Sequence, residues 1–366
     1  MSSKVLIIFW GNPMYDGRCM NMINQLSKTN QTLYCLGVGE KYEEIKNNNY
    51  KIELISKACL QSSLTKYFKF FKIVKRKIRK INPNIIIAAD LYSMIPAAKI
   101  KKNNYLLIYD SRELYTKLGG LRNKPLIQFF WKYYEKKYIY KADCTLVTAT
   151  IDKNYLVNLY GKIKIKLFKN LPGKHFLNSK TFDLKRELCL SQNKKILLYQ
   201  GKLHYGRGIR FVLKCMKGIQ NVVLVIIGDG PMKETYIKSA KKYNLEDRLY
   251  FIDAVPYLEL AKYSSSAYIG LSVIQPISKS YENALPNKLF EYTVSGLPFI
   301  CSNLSAMQEA VNDLKSGIAI QYNNGNEFIN AYEEINSHYN DYVLDEDQRM
   351  SLLWEQNNNL SDIINE

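Results

Sequence analysis

The chain has 366 residues, 47% of them hydrophobic, and a net charge of +19. That length fits two domains, each with a core of its own. Seven cysteines are scattered at 19, 35, 59, 144, 189, 215 and 301 with no C-x-x-C pair, and the three histidines at 175, 204 and 338 lack metal-ligand spacing, so neither a disulfide framework nor a zinc site is indicated.

In chain order, strands are expected at Lys4–Trp10, Thr32–Val38, Ile85–Ala89, Leu106–Tyr109 and Cys144–Val147. Helices are expected between them at Arg18–Lys28, Leu64–Ile81, Ser93–Lys101 and Pro125–Lys141. This alternation implies a parallel sheet with helices on its faces. Lys4–Trp10 is too short for the apolar core of a secretory leader, and no apolar run approaches the roughly 20 residues of a membrane span. The string KNLPG at Lys169–Gly173 reads as a hinge. A second set of strands follows at Ile196–Tyr199, Val222–Ile227, Leu249–Ile252, Ile269–Ser272 and Phe299–Cys301. Asp347 to Glu366 reads as a broken helix around Trp354.

The charge is uneven. Residues 1–180 hold 33 Lys and Arg against 11 Asp and Glu, a net of +22, while the rest carries −3. This asymmetry suggests an anionic partner for the first half. Its densest stretch, Leu64 to Ile81 (LTKYFKFFKIVKRKIRKI), has eight cations, no acid and apolar residues at helical spacing. It fits a helix lying on anionic lipid; the alternative is a core-packing helix with a solvated basic back. Phe129 to Lys141 (FFWKYYEKKYIYK) points the same way.

After the first strand comes FWGNPMYDGR, which lacks the G-x-G-x-x-G spacing of a dinucleotide site. Gly11, Asp16 and Arg18 there are candidates for ligand binding. Asp16 also suits a helix N-cap, and Arg18 is expected to face a ligand phosphate. Asp90 follows the Ile85–Ala89 strand and is a candidate for orienting or deprotonating a ligand hydroxyl. Three strand-to-loop segments in the second half converge on phosphate chemistry. ILLYQGKLHYGRG (Ile196–Gly208) ends a strand in glycines 201, 206 and 208 with Lys202 and Arg207 between them. LVIIGDGP (Leu224–Pro231) ends in a second glycine turn at Gly228. YENALPNKLFEYTVSGLPFIC (Tyr281–Cys301) places a loop, a helix opened by Pro286, a stop at Gly296 and a buried strand. In open α/β sheets, ligands sit at the carboxyl ends of strands, where all three loops lie.

These strings, with FIDAVPYLELAKYSSSAYIGLS between them, resemble the retaining glycosyltransferases of family 4. They stand in that family's order, and the resemblance extends from about Lys4 to the C-terminal helix. It implies the α/β architecture called GT-B: two Rossmann-like, doubly wound parallel-sheet domains with a cleft between them and a last helix crossing back. The first domain would span 1–175 plus about 350–366 and bind acceptor; the second, 176–349, would bind a nucleotide sugar. It also implies that Gly201, Lys202 and Arg207 hold a diphosphate, with Gly228 beside them. The amides of Ala284 and Leu285 would face the distal phosphate, and Glu291 the ribose. Lys288 either assists or pairs with Glu291. Asp253 and Ala254 would lie in the base-binding loop.

Two departures from the family pattern stand out. Where the family has the first acid of E-x(7)-E, this chain has Asn283, with Glu282 one step away. Where the family has a histidine, this chain has Arg112, in YDSRELY. Arg112 and Glu113 are therefore catalytic candidates of an electrostatic kind, or else members of a local salt-bridge cluster with Asp110. The resulting expectation is metal-independent transfer, without a cofactor, from a UDP- or GDP-sugar to a polysaccharide or lipid-linked acceptor. The enzyme would sit on the cytoplasmic face of the membrane, holding it through the basic N-terminal domain. A basic nucleic-acid-binding protein and a sugar-nucleotide epimerase on the same fold are the alternatives.

Overall fold

The computed structural model describes residues 3–60, 65–102, 104–115, 124–177, 182–277, 279–282 and 284–365. The chain forms two compact units, residues 1–170 with 357–366 and residues 171–356. The boundary thus falls at Asn170, inside the KNLPG string, and the return to the first unit begins at Asn357.

Unit 1 is built on β1 (Lys4–Ile8), α1 (Gly17–Leu26), β2 (Thr32–Gly39), β3 (Glu43–Lys46), β4 (Tyr50–Ser56), α2 (Lys66–Ile81), β5 (Ile85–Ala88), α3 (Leu91–Ile100), β6 (Leu106–Ser111), α4 (Pro125–Tyr138), β7 (Cys144–Val147), α5 (Thr150–Tyr160) and β8 (Ile165–Leu167). Its strand order is β3-β4-β2-β1-β5-β6-β7-β8. Every pairing is parallel except β3 with β4. The central strands KVLII and IIIA are apolar runs because helices cover both sheet faces. The β3–β4 hairpin, absent from the sequence reading, turns at Asn47, whose Oδ1 accepts from the amides of Asn49 and Tyr50 at 2.8 Å.

Unit 2 contains α6 (Leu184–Glu187), β9 (Lys195–Gln200), α7 (Ile209–Cys215), β10 (Val222–Ile227), α8 (Lys233–Lys242), β11 (Leu249–Ile252), α9 (Tyr257–Ser264), β12 (Ile269–Ser272), α10 (Lys279–Glu282), α11 (Lys288–Val294), β13 (Phe299–Ser302), α12 (Ser305–Leu314), β14 (Gly317–Ile320) and α13 (Gly325–Ser337). The sheet is parallel throughout, in the order β11-β10-β9-β12-β13-β14. The chain runs outward from β9 to β11, then crosses to β12 on the other side. Its topological switch point, the usual ligand position in such sheets, is therefore at the ends of β9 and β12.

Those two strands separate early. The β9–β12 register holds only Ile269 with Leu197 and Gly270 with Leu198, whereas β9 and β10 pair along their whole length. Tyr292 of α11 fills the opening. Its hydroxyl accepts from the Gln200 amide at 3.3 Å and reaches the carbonyls of Leu198 at 3.2 Å and Leu271 at 3.4 Å. The ring lies on Gly270, where a Cβ would come within 2.3 Å of it. A one-atom side chain at 270 would push α11 off the sheet.

The chain leaves unit 2 through α14 (Glu346–Ser351) and α15 (Trp354–Asn357) and ends in α16 (Leu360–Asn365). Trp354 is fully buried, and its amide donates to Pro172 O at 2.7 Å. Asn358 then anchors the tail in unit 1, donating to Lys169 O at 2.9 Å and accepting from Gln25 at 2.8 Å. Replacing Gly270 with Ala is expected to destabilise unit 2 by about 1–3 kcal/mol through overpacking against Tyr292, read as a lowered midpoint in urea unfolding.

Candidate active site

The loops after β9 and β10 interlock through glycine. Gly201 and Gly228 have φ of 126° and 143°, which L side chains rarely adopt. A Cβ at Gly228 would stand 2.1 Å from Gly201 O. The two loop backbones therefore touch, and this close approach brings Lys202, Arg207 and Gly228 to one end of the sheet.

Lys288, the first residue of α11, lies against the same place, with its Nζ 3.5 Å from where a Gly201 Cβ would be. That ammonium sits 3.8 Å over the Tyr199 ring, and Arg207 stacks its guanidinium 5.1 Å from the centre of the Tyr281 ring. An aromatic face orients a cation without neutralising it. Among the described residues, no carboxylate forms an ion pair with Lys202, Arg207 or Lys288, and Arg207 Nε is buried without a hydrogen-bond partner. Burial first, then the charge of Arg207, lowers Lys288 to about 7. The site holds concentrated positive charge that an anion would relieve.

Glu291 is buried beside it and accepts a hydrogen bond from Gln200 Nε2. Gln200 Oε1 in turn accepts from Ser264 at 2.9 Å. Burial raises Glu291 to about 7, against the opposing effects of Gln200 and Lys288. The i, i+3 ion pair considered for Lys288 and Glu291 does not form. Sequence reading missed Tyr199, Gln200, Ser264 and Tyr281; only Gln200 left a signal, as a polar residue closing an apolar strand.

The remaining unit 2 candidates are less concentrated. The Ala284 amide donates to Tyr281 O at 3.1 Å, so the expectation that it faces a phosphate is corrected: a local turn already uses it. Leu285 is exposed and Glu282 half-buried. Asp253 is exposed and meets Lys233 at 3.0 Å, with exposed Ala254 next to it. Asn283 lies outside the described residues, as does Leu64 of the basic stretch.

In unit 1, the expectation for Arg18 is overturned. It is buried, donates to both oxygens of Asp110 at 2.6–2.9 Å and reaches Phe168 O at 2.6 Å. All three guanidinium nitrogens are thus engaged within unit 1. Arg112 extends the network to Asp16 at 2.7 Å and Asp110 at 2.9 Å, so the salt-bridge alternative describes its contacts. Burial acts to raise the Asp110 carboxyl, but Arg18 and Arg112 outweigh it and hold it below its ordinary value. Asp16 also N-caps α1 through the Cys19 amide at 2.8 Å. Glu113, next to this network, is exposed. Gly11 packs on the Phe9 ring and accepts from the Val38 amide at 2.8 Å.

Asp90 stands at the unit 1 switch point, where β1 and β5 adjoin. It caps α3 through the Ser93 amide at 2.7 Å and accepts from the Trp10 amide at 2.5 Å. Burial raises it to about 6 despite these bonds. Around it, Trp10, Tyr67, Tyr92, Tyr115 and Trp131 form an aromatic cluster.

Residues 181–350, which lie inside unit 2, match the family described as Glycosyl transferases group 1. The amylovoran biosynthesis glycosyltransferase AmsD of Erwinia amylovora is 24% identical over 276 residues, covering 71% of each chain. Sucrose-phosphate synthase from Thermosynechococcus elongatus superposes with a TM-score of 0.73 at 18% identity, covering 96% of both chains. HepE of Anabaena, solved with UDP-glucose, gives a TM-score of 0.68 at 11% identity, covering 99% of this chain and 97% of that one. The structural likenesses show the GT-B fold.

The buried charges set the response to mutation and to pH. Arg18→Ala is expected to cost about 3 kcal/mol of unit 1 stability, because buried Asp110 keeps only Arg112 of its two guanidinium partners and Phe168 O loses its donor; urea unfolding reads this. Glu291 binds an extra proton in the folded state between its ordinary 4.5 and about 7, so its effect is a stability that falls as pH rises through that window. Lys288 is lowered from 10.5 to about 7, so there the unfolded chain binds the extra proton and stability rises with pH. The pair thus produces a stability minimum near pH 7. Glu291→Gln is expected to lessen the acid-side slope, where Asp90 keeps its own share, and to keep the alkaline one in unfolding measured from pH 4.5 to 10.5.

Proposed function

We propose that this chain, which belongs to the group 1 glycosyltransferases, moves a sugar from a UDP- or GDP-sugar held by unit 2 onto a saccharide acceptor held by unit 1. The observation that carries this reading is the meeting of Arg207 and Lys288 at the switch point, without carboxylate partners among the described residues and with Arg207 Nε buried and unbonded. A departing nucleoside diphosphate is the anion such a site suits. HepE, a likeness of the same fold, is described in complex with UDP-glucose.

In this reading Lys202, Arg207 and Lys288 supply the charge that stabilises the leaving diphosphate as the bond from sugar C1 to phosphate oxygen breaks. No metal ion is needed for that step. The acceptor oxygen bonds to C1, and its proton passes to the departing phosphate oxygen, which gives retention without a protein nucleophile. Glu291, oriented by Gln200, takes the ribose hydroxyls. Asp90 orients the acceptor hydroxyl. The acceptor is a polysaccharide or lipid-linked saccharide, a choice supported by AmsD being named for amylovoran biosynthesis. The enzyme works as a peripheral protein on the cytoplasmic membrane face, bound through the basic unit 1. No helix among the described residues is long and apolar enough to cross a membrane.

The first test is thermal stabilisation by UDP, GDP and their sugar conjugates with EDTA present. A raised midpoint with one nucleotide supports the reading and names the donor; no shift with any of them counts against it. Lys202→Ala and Arg207→Ala are expected to abolish donor binding and leave the fold intact. Because a bound diphosphate favours protonated Lys288, UDP affinity should fall by up to about tenfold per pH unit above about 7. Lys288→Ala should flatten that slope in calorimetric titration.

A further inference from the structure

The structure separates two roles within the basic half of the chain. Helix α2 turns Phe70, Val74 and Ile78 into the core, with Tyr67, Phe71, Ile73 and Ile81 packed partly against it. Its apolar stripe is therefore used in folding. What it shows to solvent is mainly cationic: Lys69, Lys72, Arg76, Arg79 and Lys80, with Phe68 as the one large exposed apolar side chain. Among the described residues, Lys77 is the only cation of α2 in an ion pair, with Glu53.

Helix α4 is arranged the other way. Trp131, Glu135 and Tyr138 are buried. On the opposite face Leu126, Phe129, Phe130 and Tyr133 recur at i, i+3, i+4 and i+7, and all are exposed: Leu126 by 84%, Phe129 by 71% and Tyr133 by 53%. Such a run of large apolar groups left in water is unusual for a soluble surface and marks a contact face. Exposed Lys124, Lys132, Lys136, Lys137 and Lys141 surround it. The one acid of the helix, Glu135, is buried and bonded by the hydroxyls of Tyr109 and Tyr160 at 2.9 and 2.7 Å. The face therefore has no compensating negative charge from its own helix. Helix α3 packs against both α2 and α4, and Tyr67 meets Trp131 edge to face at 4.9 Å.

We propose that the outer face of α4 is the part of this protein that enters an anionic lipid surface, with Leu126, Phe129, Phe130 and Tyr133 reaching the acyl boundary and the surrounding lysines at the headgroups. The α2 cations then act as a long-range attractor that does not insert. The inference rests on the membrane reading above and makes it specific. Apolar side chains ringed by cations suit a surface that is charged outside and apolar beneath. A nucleic acid offers the charge but no apolar layer to receive an aliphatic side chain such as Leu126.

The test is co-sedimentation of the full chain with vesicles of phosphatidylglycerol and phosphatidylcholine, with pure phosphatidylcholine as the neutral control. Leu126→Ser with Phe129→Ser is expected to lower the partition constant by at least about tenfold, with an unchanged urea midpoint because both positions are exposed. In Phe129→Trp, brominated acyl chains should quench the added fluorescence. Lys72→Glu with Arg76→Glu should weaken binding only at low salt. Wild type that ignores anionic vesicles would overturn the membrane reading and this inference together. Binding unaffected by the double serine variant, with no quenching at 129, would overturn the inference alone. Salt-sensitive affinity for duplex DNA or single-stranded RNA, with none for vesicles, would overturn both and assign the face to nucleic acid.

Discussion

The seat of Tyr292 on Gly270 sets the geometry of the candidate site. Where β9 and β12 part, the ladder loses its next hydrogen bonds, and buried backbone groups left unpaired there would be costly. The Tyr292 hydroxyl takes them up. Because that ring has one resting place, α11 has one height above the sheet, and Lys288 and Glu291 follow as rigid consequences one turn and one residue away. Gln200, held by the same hydroxyl at its amide, presents its side chain to Glu291.

The two units treat buried charge in opposite ways. In unit 1, Arg18 and Arg112 are met by Asp110 and Asp16, and the network ties β6, α1 and the segment after β8 into one body. A satisfied guanidinium is a structural element. In unit 2, half-buried Arg207 and Lys288 rest on tyrosine faces, with no carboxylate paired to either among the described residues. The same residue types thus mark scaffold in one half and ligand chemistry in the other, and only the partners distinguish them.

That distinction explains what was legible in the sequence. The strands Val222–Ile227, Leu249–Ile252 and Ile269–Ser272 are found where apolar runs bounded by turn residues place them. The glycine loops were readable too, because backbone at strongly positive φ leaves a glycine in the sequence. The β3–β4 hairpin was not: Glu43–Lys46 is an exposed edge strand with almost no apolar residues, and its turn is signalled only by an asparagine run. Arg18 was misread because its partner Asp110 is 92 residues away, and nothing local shows that the two meet. The α2 stripe looked free for lipid for the same reason, since periodicity shows that a face is apolar but not which neighbour covers it.

The contact between Gly228 and Gly201 has a mechanical consequence. Two loops that touch through bare backbone, and again where Gly230 meets Leu203 O, cannot be displaced independently. They behave as geared parts: a push on one is delivered to the other with no compressible side chain between to absorb it. Whatever settles against the turn after β10 therefore also adjusts the turn after β9, and sequence drift in either loop is confined to changes that the other can follow.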